Sequence, residues 1–191
     1  MAINLSKGQK VDLTKTNPGL STVLVGLGWD TNKYDGGGDF DLDVSVFCAN
    51  GAGKVDNPKN FVYFNNPQNE NASVAHTGDN RTGVGDGDDE QIRVELTNVP
   101  AGIEKIAFAI TIYEADQRKQ NFGQVANSYV RILNEATGAE LIRFDLGEDF
   151  SVETGVVVGE LYRHGGEWKF NAIGNGYRNG LEGLTRDYGL Q

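Results

Sequence analysis

The segment from His76 to Leu96, HTGDNRTGVGDGDDEQIRVEL, has a composition that suits the binding of a cation. Five carboxylates lie between Gly78 and Glu90, together with four glycines and a single basic residue, Arg81. Two unit charges roughly 4 Å apart repel by about 4 kcal/mol at an effective dielectric near 20. A loop this tight therefore either stays spread in water or encloses a positive charge.

A second acidic segment, DGGGDFDLD (Asp35 to Asp43), lies upstream. The two segments hold nine of the 27 acidic residues of the chain, so the negative charge is concentrated rather than mixed with positive charge as on an ordinary surface. Strict alternation with apolar residues over Phe40–Val44 predicts a strand with its carboxylates on one face and its apolar side chains in the core. Asp39, Asp41 and Asp43 would share that face, with about 7 Å between neighbours. One ion could therefore reach all three aspartates only if the chain bends, and Gly36 to Gly38 would allow such a bend.

Calcium is the ion that this donor inventory favours. It takes six to eight oxygen ligands from carboxylates, carbonyls and water, whereas magnesium demands a strict octahedron and keeps its waters. Zinc and copper prefer His or Cys, and His76 and His164 are too far apart in sequence to imply a joint site. The EF-hand template fails, because counting from Asp39 places Val44 at the sixth position and Asn50 at the twelfth. The alternative is that the two segments are independent, solvated turns.

Bulk properties limit the other function classes. The chain has 191 residues, a net charge of −10 and a pI near 4.6, so it would repel nucleic acids and anionic lipids. The single cysteine, Cys48, excludes an internal disulfide and lies in an apolar run typical of a buried thiol. No apolar leader or membrane-spanning stretch is present, so we expect a cytoplasmic protein unless a non-classical route exports it. We expect one domain over residues 1–191, since no linker or repeat divides the chain.

Short alternating runs between turn signals predict an all-β protein with minor short helices, folded as a two-sheet β-sandwich with long acidic metal-binding loops. Eight or so strands are expected, in the following segments: 21–29, 40–48, 60–65, 91–99, 105–115, 129–146 (two strands around Thr137–Gly138) and 156–174 (two strands around His164–Gly166). Helical turns are expected only at 121–129 and 181–189. Trp29 and Trp168 lie on apolar faces and are predicted to be core residues.

Several stretches together resemble the TerD family of tellurium-resistance and stress-response proteins. They are GDNRTGVGDGDDEQIRVEL, FDLDVSVF, NFGQV, GELYRHGGEWKFNAIGNGY, LSKGQKVDLTK and VGLGWD, which extend over nearly the whole chain. The resemblance implies a calcium-binding β-sandwich with two Ca²⁺ ions held between the acidic loop and the DLD strand. It also implies, by position, the ligands Asp41, Asp43, Asp79, Asn80, Asp88, Asp89 and Glu90, with Asp39 and Asp86 flanking them.

The leading functional hypothesis is therefore a calcium-binding, non-enzymatic stress-response protein. The resemblance implies roles in resistance to tellurite, phage and toxins, as a calcium-dependent scaffold or interaction module with other proteins of a multiprotein complex. Any peripheral membrane association would arise through such partners, and direct nucleic-acid binding is not expected.

Two alternatives remain open. A calcium-dependent carbohydrate-binding sandwich would set an aromatic ring beside the ion, but the acidic segments contain only Phe40, which is expected to point inward. A metal-assisted hydrolase or carboxylate-pair glycosidase would use the clustered acids, but no P-loop, GxSxG, HExxH or histidine-containing triad accompanies them.

Overall fold

Two six-stranded sheets form a β-sandwich in the computed structural model, which describes residues 2–31, 40–77, 87–146 and 150–190. Sheet I has the order β1 (Ile3–Leu5), β10 (Glu140–Asp145), β9 (Val125–Asn134), β3 (Thr22–Thr31), β7 (Glu90–Glu95), β6 (Val74–His76). Sheet II has the order β2 (Lys10–Asp12), β12 (Glu167–Tyr177), β11 (Gly155–His164), β8 (Lys105–Ile112), β4 (Leu42–Ala49), β5 (Phe61–Val62). All neighbours are antiparallel except β1 and β10, which run parallel.

Alternation along the strands of sheet I places one face of the sheet in the core, as the sequence predicts. On β3, Val23, Val25 and Leu27 are fully buried and Trp29 is 3% exposed. The partner strand β7 has the matching pattern, with Ile92 and Val94 inside and the intervening polar residues half-buried. Since side chains alternate between the two faces of a strand, the glycines between these β3 residues lie on the outer face of sheet I.

The central strand β8 is buried on both faces, which confirms the prediction made from its uninterrupted apolar run. Its outer face, together with those of β4 and β11, is covered by the C-terminal helix α2 (Gly180–Asp187), whose Leu184 is fully buried. Tyr188 then stacks on Phe47 with 4.2 Å between the ring centroids. The C-terminal segment therefore packs back onto the sandwich.

Two local predictions need correction. The strand expected at 60–65 is only Phe61–Val62, because Tyr63 and Asn66 exchange backbone hydrogen bonds in a tight turn. Twelve strands and two extra helical turns, the 3₁₀ turn Pro58–Asn60 and α1 (Ala115–Arg118), are present in the described residues, where sequence patterns predicted eight or so strands. The helical turns expected within 121–129 amount to a single 3₁₀ turn, Phe122–Gln124, after which the chain enters β9.

No helix of the described residues is long and apolar enough to cross a membrane; the longest, α2, has eight residues.

Candidate metal centre

Three consecutive acids, Asp88, Asp89 and Glu90, connect the acidic loop to strand β7, and each turns in a different direction. Asp88 lies on the outer face of sheet I, Asp89 reaches the end of β3, and Glu90 enters the interior between the sheets. The three side chains diverge because regular strand pairing begins only at Glu90, which pairs with Leu27 of β3. The three carboxylates therefore contact separate parts of the fold.

Glu90 joins the two sheets. It is 2% exposed, and its Oε2 accepts a hydrogen bond of 3.1 Å from the backbone N–H of Val44, near the start of β4 in sheet II. The same oxygen lies 2.7 Å from Nε2 of His76 on β6, whose side chain is 4% exposed. A buried carboxylate is costly unless it is hydrogen-bonded, and these contacts meet that need. The start of β7 therefore lies against the start of β4, next to Asp43.

Asp89 extends the β3 pairing by one residue and holds the end of that strand. Its backbone N–H donates to the Leu27 carbonyl at 2.8 Å, and its carboxylate accepts from the Trp29 N–H at 2.8 Å. Burial raises the pKa of Asp89, and the negative charges of Asp30 and Asp88 raise it further, against the lowering effect of the Trp29 hydrogen bond. Burial is thus the main reason that the charged form of Asp89 is disfavoured, and the carboxylates of Asp30 and Asp88 add to it.

Asp88 is held by donors from the protein. Its Oδ1 accepts from Arg131 Nε at 2.7 Å and from the Tyr129 hydroxyl at 3.0 Å, and its Oδ2 accepts from Gln91 Nε2 at 2.9 Å. The side chain lies over Gly26, where a Cβ atom would stand 2.0 Å from Oδ2. Burial raises the pKa of Tyr129 to about 12, and the neighbouring Asp88 charge contributes to the shift.

The upstream acidic segment meets this region through β4. Phe40, Leu42 and Val44 are buried and Asp41 and Asp43 are half-buried, which confirms the alternation read from the sequence. Regular pairing begins at Leu42, and just before it the backbone N–H of Tyr113 donates to the Asp41 carbonyl at 2.8 Å. Because Phe40 is 5% exposed, the aromatic ring of this segment faces the core, as expected, and not a ligand.

The described part of the chain contains five of the nine predicted metal ligands. They are Asp41, Asp43, Asp88, Asp89 and Glu90; Asp39, Asp79, Asn80 and Asp86 lie outside the described residues, as does Arg81. Within residues 2–31, 40–77, 87–146 and 150–190, no three His, Cys, Asp or Glu side chains are grouped as the ligands of one ion. The structure thus brings the ends of the two acidic segments together through Glu90 and Val44.

Sequence reasoning missed five residues whose side chains interact with these acids. They are Asp30, His76, Gln91, Tyr129 and Arg131. Asp30 had a local signal, since it directly follows Trp29 in the VGLGWD stretch of β3, and its Oδ2 accepts from Asn127 Nδ2 at 2.7 Å. Arg131 had none, because it is 43 residues from Asp88 in the chain and meets it only through strand pairing.

Comparisons with known proteins show similarity along the whole chain. The family model described as the TerD domain matches residues 1–188. General stress protein 16U of Bacillus subtilis (strain 168) is 64% identical over 191 residues, covering 100% of this chain and 99% of that protein. Tellurium resistance protein TerD of Serratia marcescens is 49% identical over 190 residues, covering 100% of this chain and 98% of that protein.

A solved structure shares the fold. The crystal structure of a homologue of telluride resistance protein (TerD) from Streptomyces coelicolor A3(2) superposes with a TM-score of 0.67 at 23% identity, covering 83% of this chain and 91% of that one. With the family model spanning almost the whole sequence, the chain belongs to the TerD family of tellurium-resistance and stress-response proteins.

Proposed function

We propose that this protein is a calcium-binding, non-enzymatic stress-response protein that acts as a calcium-dependent interaction module. The observation that carries the proposal is the hydrogen bond from Val44 N–H to Glu90 Oε2, which joins the starts of the two acidic strands across the sandwich. Carboxylates that are far apart in sequence thereby share one end of the fold.

The donor set fits calcium. Oxygen donors predominate, and burial, followed by the nearby charges of Asp30 and Asp88, raises the pKa of Asp89; a divalent cation at this carboxylate would favour its charged form. Asp41, Asp43 and Asp89 would each supply a ligand to one or the other of two ions, together with acids of the loop that lie outside the described residues. When bound, calcium supplies positive charge that draws the acidic segments together; this chain's own residues supply the rigid strand ends that position them.

Binding of two ions would offset four negative charges at one end of a chain whose net charge is −10. Such a change in local charge and loop shape is a suitable switch for binding a partner protein. Relatives are named for tellurium resistance and general stress, and we propose that this protein serves a tellurite, phage or toxin resistance pathway inside a multiprotein complex.

Calcium titration of chelator-treated protein tests the binding proposal. A ligand present at a hundredfold excess over its Kd stabilises a fold by about 2.7 kcal/mol, which corresponds to about 5–11 °C in Tm for a chain of this size. We expect Asp89→Asn to weaken calcium affinity at least about tenfold, because affinity follows the number of charged ligands. We expect the same variant to melt no lower than the parent in chelator, since the substitution removes a charge that the fold disfavours.

Asp116→Asn is the matched control, because Asp116 is an exposed residue of α1 and the substitution changes net charge equally. It should bind calcium as the parent does. An unmoved melting temperature and no heat of binding in the parent protein would refute the calcium proposal.

Capture of partners from lysate, with calcium or with chelator, tests the interaction role separately. The proposal expects a set of bound proteins that depends on calcium and is lost with Asp89→Asn. A calcium-binding protein whose partners are the same in both conditions would hold the ion for structure alone, and the interaction role would be wrong.

A further inference from the structure

The outer face of sheet I contains a slot that fits one carboxylate. Gly26 of β3 pairs with Gln91 on β7 and with Arg131 on β9, so the three residues form one row across three strands. The missing side chain at Gly26 leaves a gap between Gln91 and Arg131. The Asp88 side chain fills this gap, hydrogen-bonded at one oxygen by Gln91 and at the other by Arg131.

A second glycine completes the slot. Gly28 pairs with Tyr129, whose ring lies directly over it, and a Cβ at Gly28 would stand 2.4 Å from the ring. The Tyr129 hydroxyl donates to Asp88, and the Arg143 guanidinium lies 4.0 Å from the centroid of the same ring. The glycines of VGLGW therefore make room on this face for the side chains of Asp88 and Tyr129, of which Tyr129 donates a hydrogen bond to Asp88.

Asp88 is fully buried at its side chain and accepts hydrogen bonds from three protein donors. Arg131 is further held by Glu140, whose Oε2 lies 3.1 Å from its Nη1. A carboxylate with this many internal donors already has its charge compensated by the protein.

We infer that Asp88 anchors the acidic loop to sheet I, and that Arg131 is a positioning residue which sets the places of Asp89 and Glu90 for calcium. The inference rests on the proposed calcium-binding function and assigns Asp88 a role outside the set of ion ligands. Once the Asp88 side chain is in its slot, Asp89 must point toward the end of β3 and Glu90 toward the interior of the sandwich. Outer groups that orient the ligands of a metal commonly change its affinity by about 10–100-fold when removed.

Amide hydrogen exchange in chelator tests the anchor without any metal. The reporter is the Asp89 N–H, which donates to the Leu27 carbonyl. Arg131→Met is expected to speed its exchange at least about tenfold, as local opening becomes easier. Arg93→Met is the control, because Arg93 lies on the same face and pairs with Glu95 and Glu135, away from the slot. Unchanged exchange in Arg131→Met would overturn the anchor.

Terbium, a luminescent substitute for calcium, tests the assignment of Asp88. Lifetimes in H₂O and D₂O count the water molecules on the bound ion, and each lost protein ligand adds water. Asp88→Asn is isosteric and keeps an oxygen for Arg131 and Tyr129, so we expect unchanged stoichiometry and hydration. Asp89→Ala removes both side-chain oxygens and should gain bound water. Added water or a lost ion in Asp88→Asn would show that Asp88 is a ligand and would overturn the inference.

Affinity measurements complete the test. Arg131→Met should weaken calcium binding about 10–100-fold at unchanged stoichiometry, and Arg131→Lys should restore part of the loss because it restores the charge. Unchanged affinity in Arg131→Met would refute the positioning role. If the parent protein binds neither calcium nor terbium, the proposed function fails, and the exchange experiment still decides whether Arg131 holds the anchor.

Discussion

The contact between Glu90 and Val44 predicts a large loss of stability when Glu90 is shortened. In Glu90→Ala, the buried N–H of Val44 loses its acceptor and the buried ring of His76 loses its partner. Each buried polar group left without a partner costs about 1–3 kcal/mol, so the two together cost about 2–6 kcal/mol. A central value of about 4 kcal/mol corresponds to about 8–16 °C in Tm for a chain of this length.

Thermal and urea unfolding, followed by circular dichroism in the presence of a chelator, measures this loss without any contribution from bound metal. Glu90→Gln is the conservative variant, since it keeps an oxygen acceptor and the same shape. Hydrogen bonds to a charged group exceed neutral ones by about 1–1.5 kcal/mol, so Glu90→Gln should lose about that amount. Glu135→Ala is the surface control, because Glu135 is exposed and pairs with Arg93, and exposed pairs contribute up to about 1 kcal/mol.

The reasoning would be refuted if the free energy of unfolding of Glu90→Ala, like that of Glu135→Ala, lay within about 1 kcal/mol of the parent value. That result would mean that the two sheets are held at this end without the buried carboxylate. It would also remove the physical link between the two acidic strands on which the proposed calcium function depends.

Three further predictions concern other parts of the fold. Burial raises the pKa of Cys48 from its ordinary value of 9.0 to about 12, so the native thiol should resist alkylation at pH 8. The free energy of unfolding should also fall as pH rises above about 9, because the unfolded chain releases the thiol proton first. Alkylation of the native protein at the rate of an unfolded control would contradict this. Leu184→Ala should cost about 2–5 kcal/mol in urea unfolding and expose the C-terminal segment to proteolysis, because Leu184 is fully buried under sheet II; an unchanged cleavage pattern would argue against that packing. Gly26→Ala should cost about 1–3 kcal/mol by displacing Asp88, whereas Gly102→Ala, where a Cβ meets no atom within 4 Å, should be nearly neutral; equal melting temperatures for the two variants would count against the slot.

The sandwich was predictable because alternation is a local property of a strand. The pattern of β7, with Ile92 and Val94 inside, and the two-sided burial of β8 follow directly from the order of their residues. The early end of strand β5 was not predictable, because the turn between Tyr63 and Asn66 includes a hydrogen bond from the Asn66 side chain to the Phe61 carbonyl. Strands of three residues such as β1 and β2 are too short to show a period, and they form by pairing with β10 and β12.

The candidate site divides in the same way. Residue types and spacing alone singled out the two acidic segments and predicted calcium as their ion, because ligand chemistry depends on which atoms a residue offers. The directions of Asp88, Asp89 and Glu90 and the contacts of His76 and Arg131 came only from the folded arrangement of β7, β3, β9 and β4. Strand neighbours are chosen by the packing of the whole sandwich, and no local pattern encodes which residue will face another 43 positions away.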